Sequence, residues 1–264
     1  MHISVVTLFP ELITSVASTS ILGRGQSAGA FSLSAHQLRE FSTDKHRTVD
    51  DAPAGGGAGM VLKVDVVVPA IRHALAQVSS SPSRTRVIFM DAHGPVFAQP
   101  QARSLAVDVD HLVFVCGRYE GFDARCFTAN YGVATQLLSI GDIVLTGGEL
   151  SALVVVDAVA RLLPGVLGNG ESAEQESHGT DGLLEHRHYT RPVSFEGQAL
   201  PAVLTSGNHA AIDKARQKDA LLLTRRLRPD LFVRRARSKA LSKLLVDDRV
   251  ASLDPVFLQH TTQK

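Results

Sequence analysis

Tryptophan is absent from the 264-residue chain, tyrosine occurs three times, and all aromatics together make up 5%. A surface that gripped nucleic-acid bases mainly by ring stacking would need more rings than this. There are only two cysteines, Cys116 and Cys126. Two in a chain this long make no disulfide framework and fit a reducing cytoplasm. No apolar run reaches about 18 residues, so no membrane span is expected. The opening Met1-His2-Ile3-Ser4 lacks the basic stretch and small-residue cleavage site of a signal peptide.

Charge is nearly balanced overall, at +1, but unevenly placed. Residues 182–264 hold 15 of the 27 Lys/Arg and 8 of the 26 Asp/Glu, a net +7, which leaves −6 in residues 1–181. A basic tail behind an acidic front suggests an anionic partner held by the tail. The plainer reading is a solvated helical face.

Hydrophobic residues reach 44%, enough for a sizeable core. The patterning predicts strands at His2–Leu8, Phe31–Ala35, Arg86–Asp91 and His111–Cys116, and a short one at Asp142–Thr146. Helices are expected at Glu11–Thr19, Val64–Val78, Gln99–Val107 and Glu149–Leu163. Strands alternating with helices imply an α/β domain with a mostly parallel sheet. Residues 168–181 are polar, acidic and aperiodic, and read as a flexible linker. Beyond Pro192 the chain turns helical, with Asn208 a candidate N-cap for a helix to Arg228 and a further helix at Arg234–Val246.

Glycine clusters supply the first functional signal. Gly55-Gly56-Gly57-Ala58-Gly59 is not a phosphate-binding P-loop, because no Gly-Lys-Ser/Thr follows. Gly23-x-Gly25-x-x-Ala28 neither follows a strand nor opens a strong helix, which argues against a dinucleotide fingerprint. Gly117 and Gly121 come directly after a strand, while Gly141, Gly147 and Gly148 flank the expected strand at Asp142–Thr146. Open α/β sheets bind ligands beyond the carboxyl ends of their strands. Two such clusters, each beside charged residues, suggest a small-molecule site, although each glycine alone reads as a tight turn.

Six motifs in order carry a family resemblance. They are Val6-Thr7-Leu8-Phe9-Pro10; Asp44-Lys45-His46-Arg47-Thr48-Val49-Asp50-Asp51 with the glycine loop and Met60; Cys116-Gly117-Arg118-Tyr119-Glu120-Gly121; Ser139-Ile140-Gly141-Asp142 with Gly147-Gly148-Glu149; Pro164-Gly165-Val166-Leu167-Gly168; and His188-Tyr189-Thr190-Arg191-Pro192 with Leu204-Thr205-Ser206-Gly207-Asn208-His209. Nearly the whole chain resembles the bacterial tRNA (guanine-N1) methyltransferases of the TrmD type, in the SPOUT class.

The resemblance implies a parallel sheet with a deep trefoil knot and a small, mostly helical C-terminal domain. It divides the chain into a knotted, S-adenosylmethionine-binding catalytic domain (1–167), a linker (168–181) and a basic tRNA-binding domain (182–264). It implies a cytoplasmic homodimer with shared active sites, acting on tRNA rather than DNA. The target is N1 of guanosine 37, 3′ of the anticodon, when another guanosine precedes it. Gly117, Ile140, Gly141, Asp142, Ile143, Val144 and Leu145 would hold the methyl donor. Glu176 would be the base and Arg161 the cation that stabilises charge on the guanine. Without the resemblance, Glu176 reads as a solvated linker charge and Arg161 as a helix-end cation. Glu120 either faces the base or pairs with Arg118; His46, Asp50 and Arg216 would meet RNA. Arg47 belongs with His46, and Lys218, Arg225, Arg226 and Arg228 could meet phosphates. Magnesium is implied for turnover, but the spacing of His, Cys and Asp offers no metal-ligand set.

The chain departs from the family pattern at Ala54, Ala58, Ala92-His93-Gly94 and Ile143, and in lacking a tryptophan near Ala215. Glu176 stands where the family carries aspartate. Rival readings are a related enzyme acting on another RNA or position, and a non-enzymatic RNA-binding relative.

Overall fold

The computed structural model describes residues 1–168, 176–179 and 181–235. The chain forms two compact units, Met1–Gly170 and Glu171–Lys264.

The first unit is built on a five-stranded sheet. Its strands are β1 (His2–Thr7), β2 (Ser32–Gln37), β5 (Thr85–Met90), β6 (His111–Cys116) and β7 (Ala134–Leu138), in the order β2-β1-β6-β5-β7. Every pairing within it is parallel. A small antiparallel pair, β3 (Asp50–Asp51) with β4 (Val61–Leu62), lies apart from it. Strand residues alternate between two cores, as a period of two requires. Ile3, Val5, Ile88, Leu112 and Phe114 face one cluster; Val6, Val87, Phe89, Val113 and Val115 face the other. Helices cover both faces. α6 (Glu149–Ala160) supplies Ala152, Val155, Val156 and Val159 to the first cluster. α3 (Val64–Ala76) supplies Val66, Val67, Ala70 and Ile71 to the second. Burial on both faces explains why the central strands are near-continuous apolar runs.

One expectation is corrected. Asp142–Thr146 is not a strand; it is an irregular, largely exposed loop, with Val144 91% exposed. Its Ile-Val-Leu run imitates a buried strand, but Gly141 bends the chain at its start with φ +150°. The sheet's remaining edge is instead β7, whose Thr-Gln core is too polar to announce itself. The region of Gly23 and Gly25 is helical, α2 (Ser20–Ser27), following α1 (Pro10–Ala17). Gly23 belongs there for close approach, because a Cβ would fall 2.2 Å from the Ser18 carbonyl oxygen. α4 (Gln99–Asp108) and α5 (Arg125–Thr128) complete the helices of this unit.

In the second unit, Ser194–Phe195 (β8) pairs with Gln198–Ala199 (β9), and α7 (His209–Leu227) precedes α8 (Pro229–Arg235). Asn208 caps α7 as expected, its side chain accepting from the Ala211 N–H at 3.1 Å. Residues 169–175 and 180 of the expected linker, and residues 236–264, lie outside the described residues. So does most of the helix expected at Arg234–Val246.

The face of the sheet packed against α3 carries a seam of histidine and serine across β2, β1 and β6. His2 Nδ1 lies 2.7 Å from Ser32 Oγ and its Nε2 3.0 Å from Ser34 Oγ. Ser4 Oγ lies 3.0 Å from Nε2 of fully buried His111, and Ser34 Oγ 3.1 Å from His36 Nε2. From α3, His73 stacks edge-on to His36 at 5.6 Å. His111 Nδ1 is buried without a hydrogen-bond partner. Burial, with His2 and His36 adding repulsion, brings the His111 pKa down to about 4. His2 is lowered by burial and by the N-terminus. His36 is lowered by burial and by His73 and His2, against an opposing pull from Glu40.

These groups bind protons less well folded than unfolded. Their contribution to stability is therefore present above the unfolded value near pH 6.5 and is lost as pH falls towards 4. Each fully coupled proton contributes a slope of at most about 1.4 kcal/mol per pH unit. Urea unfolding followed from pH 7 to 4 should show falling stability across that window, and His111→Gln should flatten it. A parent protein with a flat profile there would remove the seam as the cause.

Candidate functional site

Loops leaving the carboxyl ends of β5, β6 and β7 meet at one place. After β5, the Asp91 N–H donates to the Leu138 carbonyl (3.0 Å) and the Phe97 N–H to the Ser139 carbonyl (2.7 Å). After β6, Arg118 bridges antiparallel to Gly147, and the Gly148 N–H donates to the Gly117 carbonyl at 2.9 Å. After β7, Ser139 Oγ donates to the Gly141 carbonyl and accepts from the Gly141 N–H. Between them is a cleft of about 190 Å³. Closed small-molecule pockets are nearer 300–1,000 Å³. This one is open on the side of residues 143–145, all of which are exposed.

The floor is held by a buried ion pair. Glu149, the first residue of α6 and 1% exposed, accepts from Thr7 Oγ1 at 2.7 Å. Its other oxygen lies 3.0 Å from the Arg118 guanidinium. A carboxylate at a helix N-terminus also meets the favourable end of the helix dipole. The Arg118 guanidinium lies over the Phe9 ring, 4.4 Å from its centroid, and donates to the Thr146 carbonyl at 3.3 Å. Arg118 Nε and Glu149 Oε2 nevertheless lack well-aligned hydrogen bonds. The floor is also tight: a Cβ on Gly148 would come within 2.9 Å of Cys116 Cα and 3.0 Å of the Gly117 nitrogen. Burial and the Glu149 charge push the Cys116 thiol well up, and burial with Asp123 raises Cys126 to about 12. Both thiols are free and buried, and are unsuited to act as nucleophiles.

Of the residues named for the methyl donor, Gly117, Ile140, Ile143, Val144 and Leu145 line this cleft. Gly141 and Asp142 lie in the same loop but outside the lining. Glu120 also lines it, while Arg118 pairs with Glu149 rather than with Glu120. A Cβ on Gly59 would strike the Glu120 side chain at 2.5 Å, so the 55–59 glycine loop packs directly on Glu120. Sequence reading did not single out Asp91 and His93, joined by a 2.7 Å Oδ1–Nδ1 contact on the cleft wall, or Glu149 as the anchor. A buried acid at a helix start, just behind two glycines, was the available signal.

The other named residues lie elsewhere. His46 is exposed on a loop organised by Asp44, whose carboxylate accepts from Ser42 Oγ, the His46 and Thr48 N–H groups and Thr48 Oγ1. Led by the Ser42 contact, these bonds hold the Asp44 pKa at about 2. Asp50 opens β3. Arg161 is the residue after α6 and is half-buried. Glu176 lies in the second unit, where its carbonyl accepts from the Gly179 N–H at 2.8 Å. Arg216 is exposed on α7, 3.9 Å from Asp213. Among the described residues, the one group of three converging His/Cys/Asp/Glu ligands is Glu185, His186 and His188. Its two imidazoles do not suit magnesium, which takes oxygen ligands.

The profile of the family described as tRNA (Guanine-1)-methyltransferase TrmD matches residues 1–234. The chain belongs to the TrmD family. A tRNA (guanine-N(1)-)-methyltransferase of Dehalococcoides mccartyi is 47% identical over 255 residues, covering 97% of this chain and 99% of that one. Namesakes from Mesorhizobium japonicum (51% over 230 residues; 87% and 95% covered) and Myxococcus xanthus (48% over 243; 92% and 95%) are similar along most of their length. The parallel α/β sheet and helical second unit are those of a TrmD protein, a member of the SPOUT class. Among the described residues, no helix is long and apolar enough to cross a membrane.

Removing one partner of a buried pair leaves the other charge uncompensated. Arg118→Leu should cost about 3–5 kcal/mol of stability, read as a lower urea midpoint. Loss of less than about 1 kcal/mol would mean that Glu149 is satisfied without Arg118.

Proposed function

We propose that this TrmD-family chain transfers the methyl group of S-adenosyl-L-methionine to N1 of guanosine 37 in tRNA, 3′ of the anticodon. The observation that carries the reading is the match along residues 1–234, which spans all six motifs, with two of its glycine loops meeting at one cleft.

The cleft suits a nucleoside with an amino-acid tail. Gly117, Gly121, Gly147 and Gly148 line it together with the apolar residues Ile140, Ile143 and Leu145. Asp142, with Gly141, belongs to the same donor loop. S-adenosylmethionine supplies an electrophilic methyl group on sulfur. The chain's own residues must strip the N1 proton and balance the charge that develops on the base. Guanine N1 keeps its proton at neutral pH, so a carboxylate within hydrogen-bond reach is the natural acceptor. Glu176 takes that role, and Arg161 stabilises negative charge at O6. Glu120, held by the glycine loop, faces the base. His46, Asp50 and Arg216 meet the RNA. No magnesium ligand set fits among the described residues, and none of these steps runs through that ion.

The second copy of a homodimer would supply the missing wall. Ile143, Val144 and Leu145, with Leu150 and Val154 of α6, leave apolar side chains uncovered. Such a patch marks an interaction surface. The deep trefoil knot belongs to the same reading and is supported by the mutual hydrogen bonding of the loops after β5, β6 and β7. Reduced, buried cysteines and a tRNA substrate fit a cytoplasmic enzyme.

Nucleoside mass spectrometry of tRNA incubated with enzyme and S-adenosylmethionine should reveal 1-methylguanosine, and tRNA lacking guanosine at 37 should give none. Glu176→Gln should lower turnover by about 10²-fold or more with S-adenosylmethionine affinity unchanged, because an amide cannot take the proton. Glu176→Asp should stay active. Methylation by the Gln variant at the parent rate would place the base elsewhere.

A further inference from the structure

Outside the cleft, Glu185, His186 and His188 gather one carboxylate and two imidazoles. One ligand atom from each lies within 4.8 Å of the others. Glu185 Oε1 is 2.9 Å from His188 Nε2, and the two ring centroids are 4.6 Å apart. The two rings lie at an interplanar angle of 46°, and Glu185 reaches His188 three residues further on.

The backbone beneath them is fixed. The Leu184 N–H donates to Thr224 Oγ1 at 2.9 Å. The Arg187 N–H donates to Asp219 Oδ2 at 2.8 Å, and the Arg187 guanidinium forms an ion pair with the same fully buried carboxylate. Both anchors are on α7. The cluster is thus presented by a braced segment.

The tautomer is set as a metal site requires. His186 Nδ1 lies 3.0 Å from the Arg187 carbonyl oxygen, which can only accept. Nδ1 therefore carries a proton, and in the neutral ring the lone pair is on Nε2. A ring nitrogen donating to a backbone carbonyl is the usual outer partner of a metal-bound imidazole.

We propose that Glu185, His186 and His188 form a three-ligand site for a divalent transition metal ion, with zinc the best fit. Two imidazoles and a carboxylate are a donor set that zinc takes in tetrahedral geometry, with a fourth position left to water. Bonds of about 2.1 Å place tetrahedral ligand atoms about 3.4 Å apart. The three side chains are all at least partly exposed, and their ligand atoms already lie within 4.8 Å of one another. The ion would brace more than its ligands. The Glu185 N–H donates to Ser177 Oγ at 2.9 Å, and the His178 N–H to the Leu183 carbonyl at 2.8 Å. An ion on Glu185 therefore stiffens the turn that carries Glu176. The site stands on its own geometry and does not rest on the methyl-transfer reading.

The test uses untagged, full-length protein stripped of metal, titrated with zinc against a chromophoric zinc chelator. The expected result is one site per chain with micromolar or tighter affinity, not displaced by millimolar magnesium. His186→Ala and His188→Ala should each weaken zinc about tenfold or more, while His209→Ala, an exposed histidine outside the cluster, should not. Zinc should raise the melting temperature of the parent and not of the two cluster variants, whose melts without zinc match the parent. No binding at tenfold excess of zinc overturns the proposal. So does binding by both cluster variants with parental affinity.

Discussion

The Glu149–Arg118 pair is the constraint around which the first unit is arranged. It joins four pieces of chain that are distant in sequence: the end of β1 through Thr7, the loop after β6 through Arg118, the loop before α6 through the Thr146 carbonyl, and α6 itself. A buried carboxylate is costly unless matched by charge and hydrogen bonds. The need to match it fixes where Arg118 lies. Arg118 in turn fixes the approach of Gly147, since a Cβ there would collide with its guanidinium at 2.3 Å. The cleft floor is thus a consequence of satisfying one acid, and the glycines are consequences of how closely that acid's partners must pack.

Legibility in the sequence followed burial. β1, β5 and β6 lie inside the sheet with helices on both sides, so their apolar runs were unmistakable. β7 is an edge strand with alternating exposure and a polar middle, and it left no such trace. The Ile143-Val144-Leu145 run failed in the opposite sense. It has strand-like composition but lies uncovered, because composition reports what a segment prefers to be buried against and not whether the same chain buries it. α2 was hidden by glycines that serve helix packing rather than turns.

The candidate site divides in the same way. Glycines after strands pointed to the cleft because their role is local, in backbone reach and turn geometry. Glu149 was not singled out, since its importance comes from partners 142 and 31 residues away. The grouping of Glu185, His186 and His188 was available as a carboxylate beside a His-x-His, but their convergence depends on a backbone anchored to α7 through Leu184 and Arg187. Glu176 and Arg161 were named only through family resemblance; they belong to different compact units and no local pattern links them.

The crowding around Gly148 has a consequence for inhibition. Sites usually escape a blocking compound by enlarging a wall residue until the compound no longer fits. Any added side chain at Gly148 would meet Cys116, Gly117 and Met90 before it met a visitor. A molecule resting on that floor would therefore press against a surface whose evolutionary freedom is already exhausted, and the easy substitutions would be confined to the exposed rim at residues 143–145.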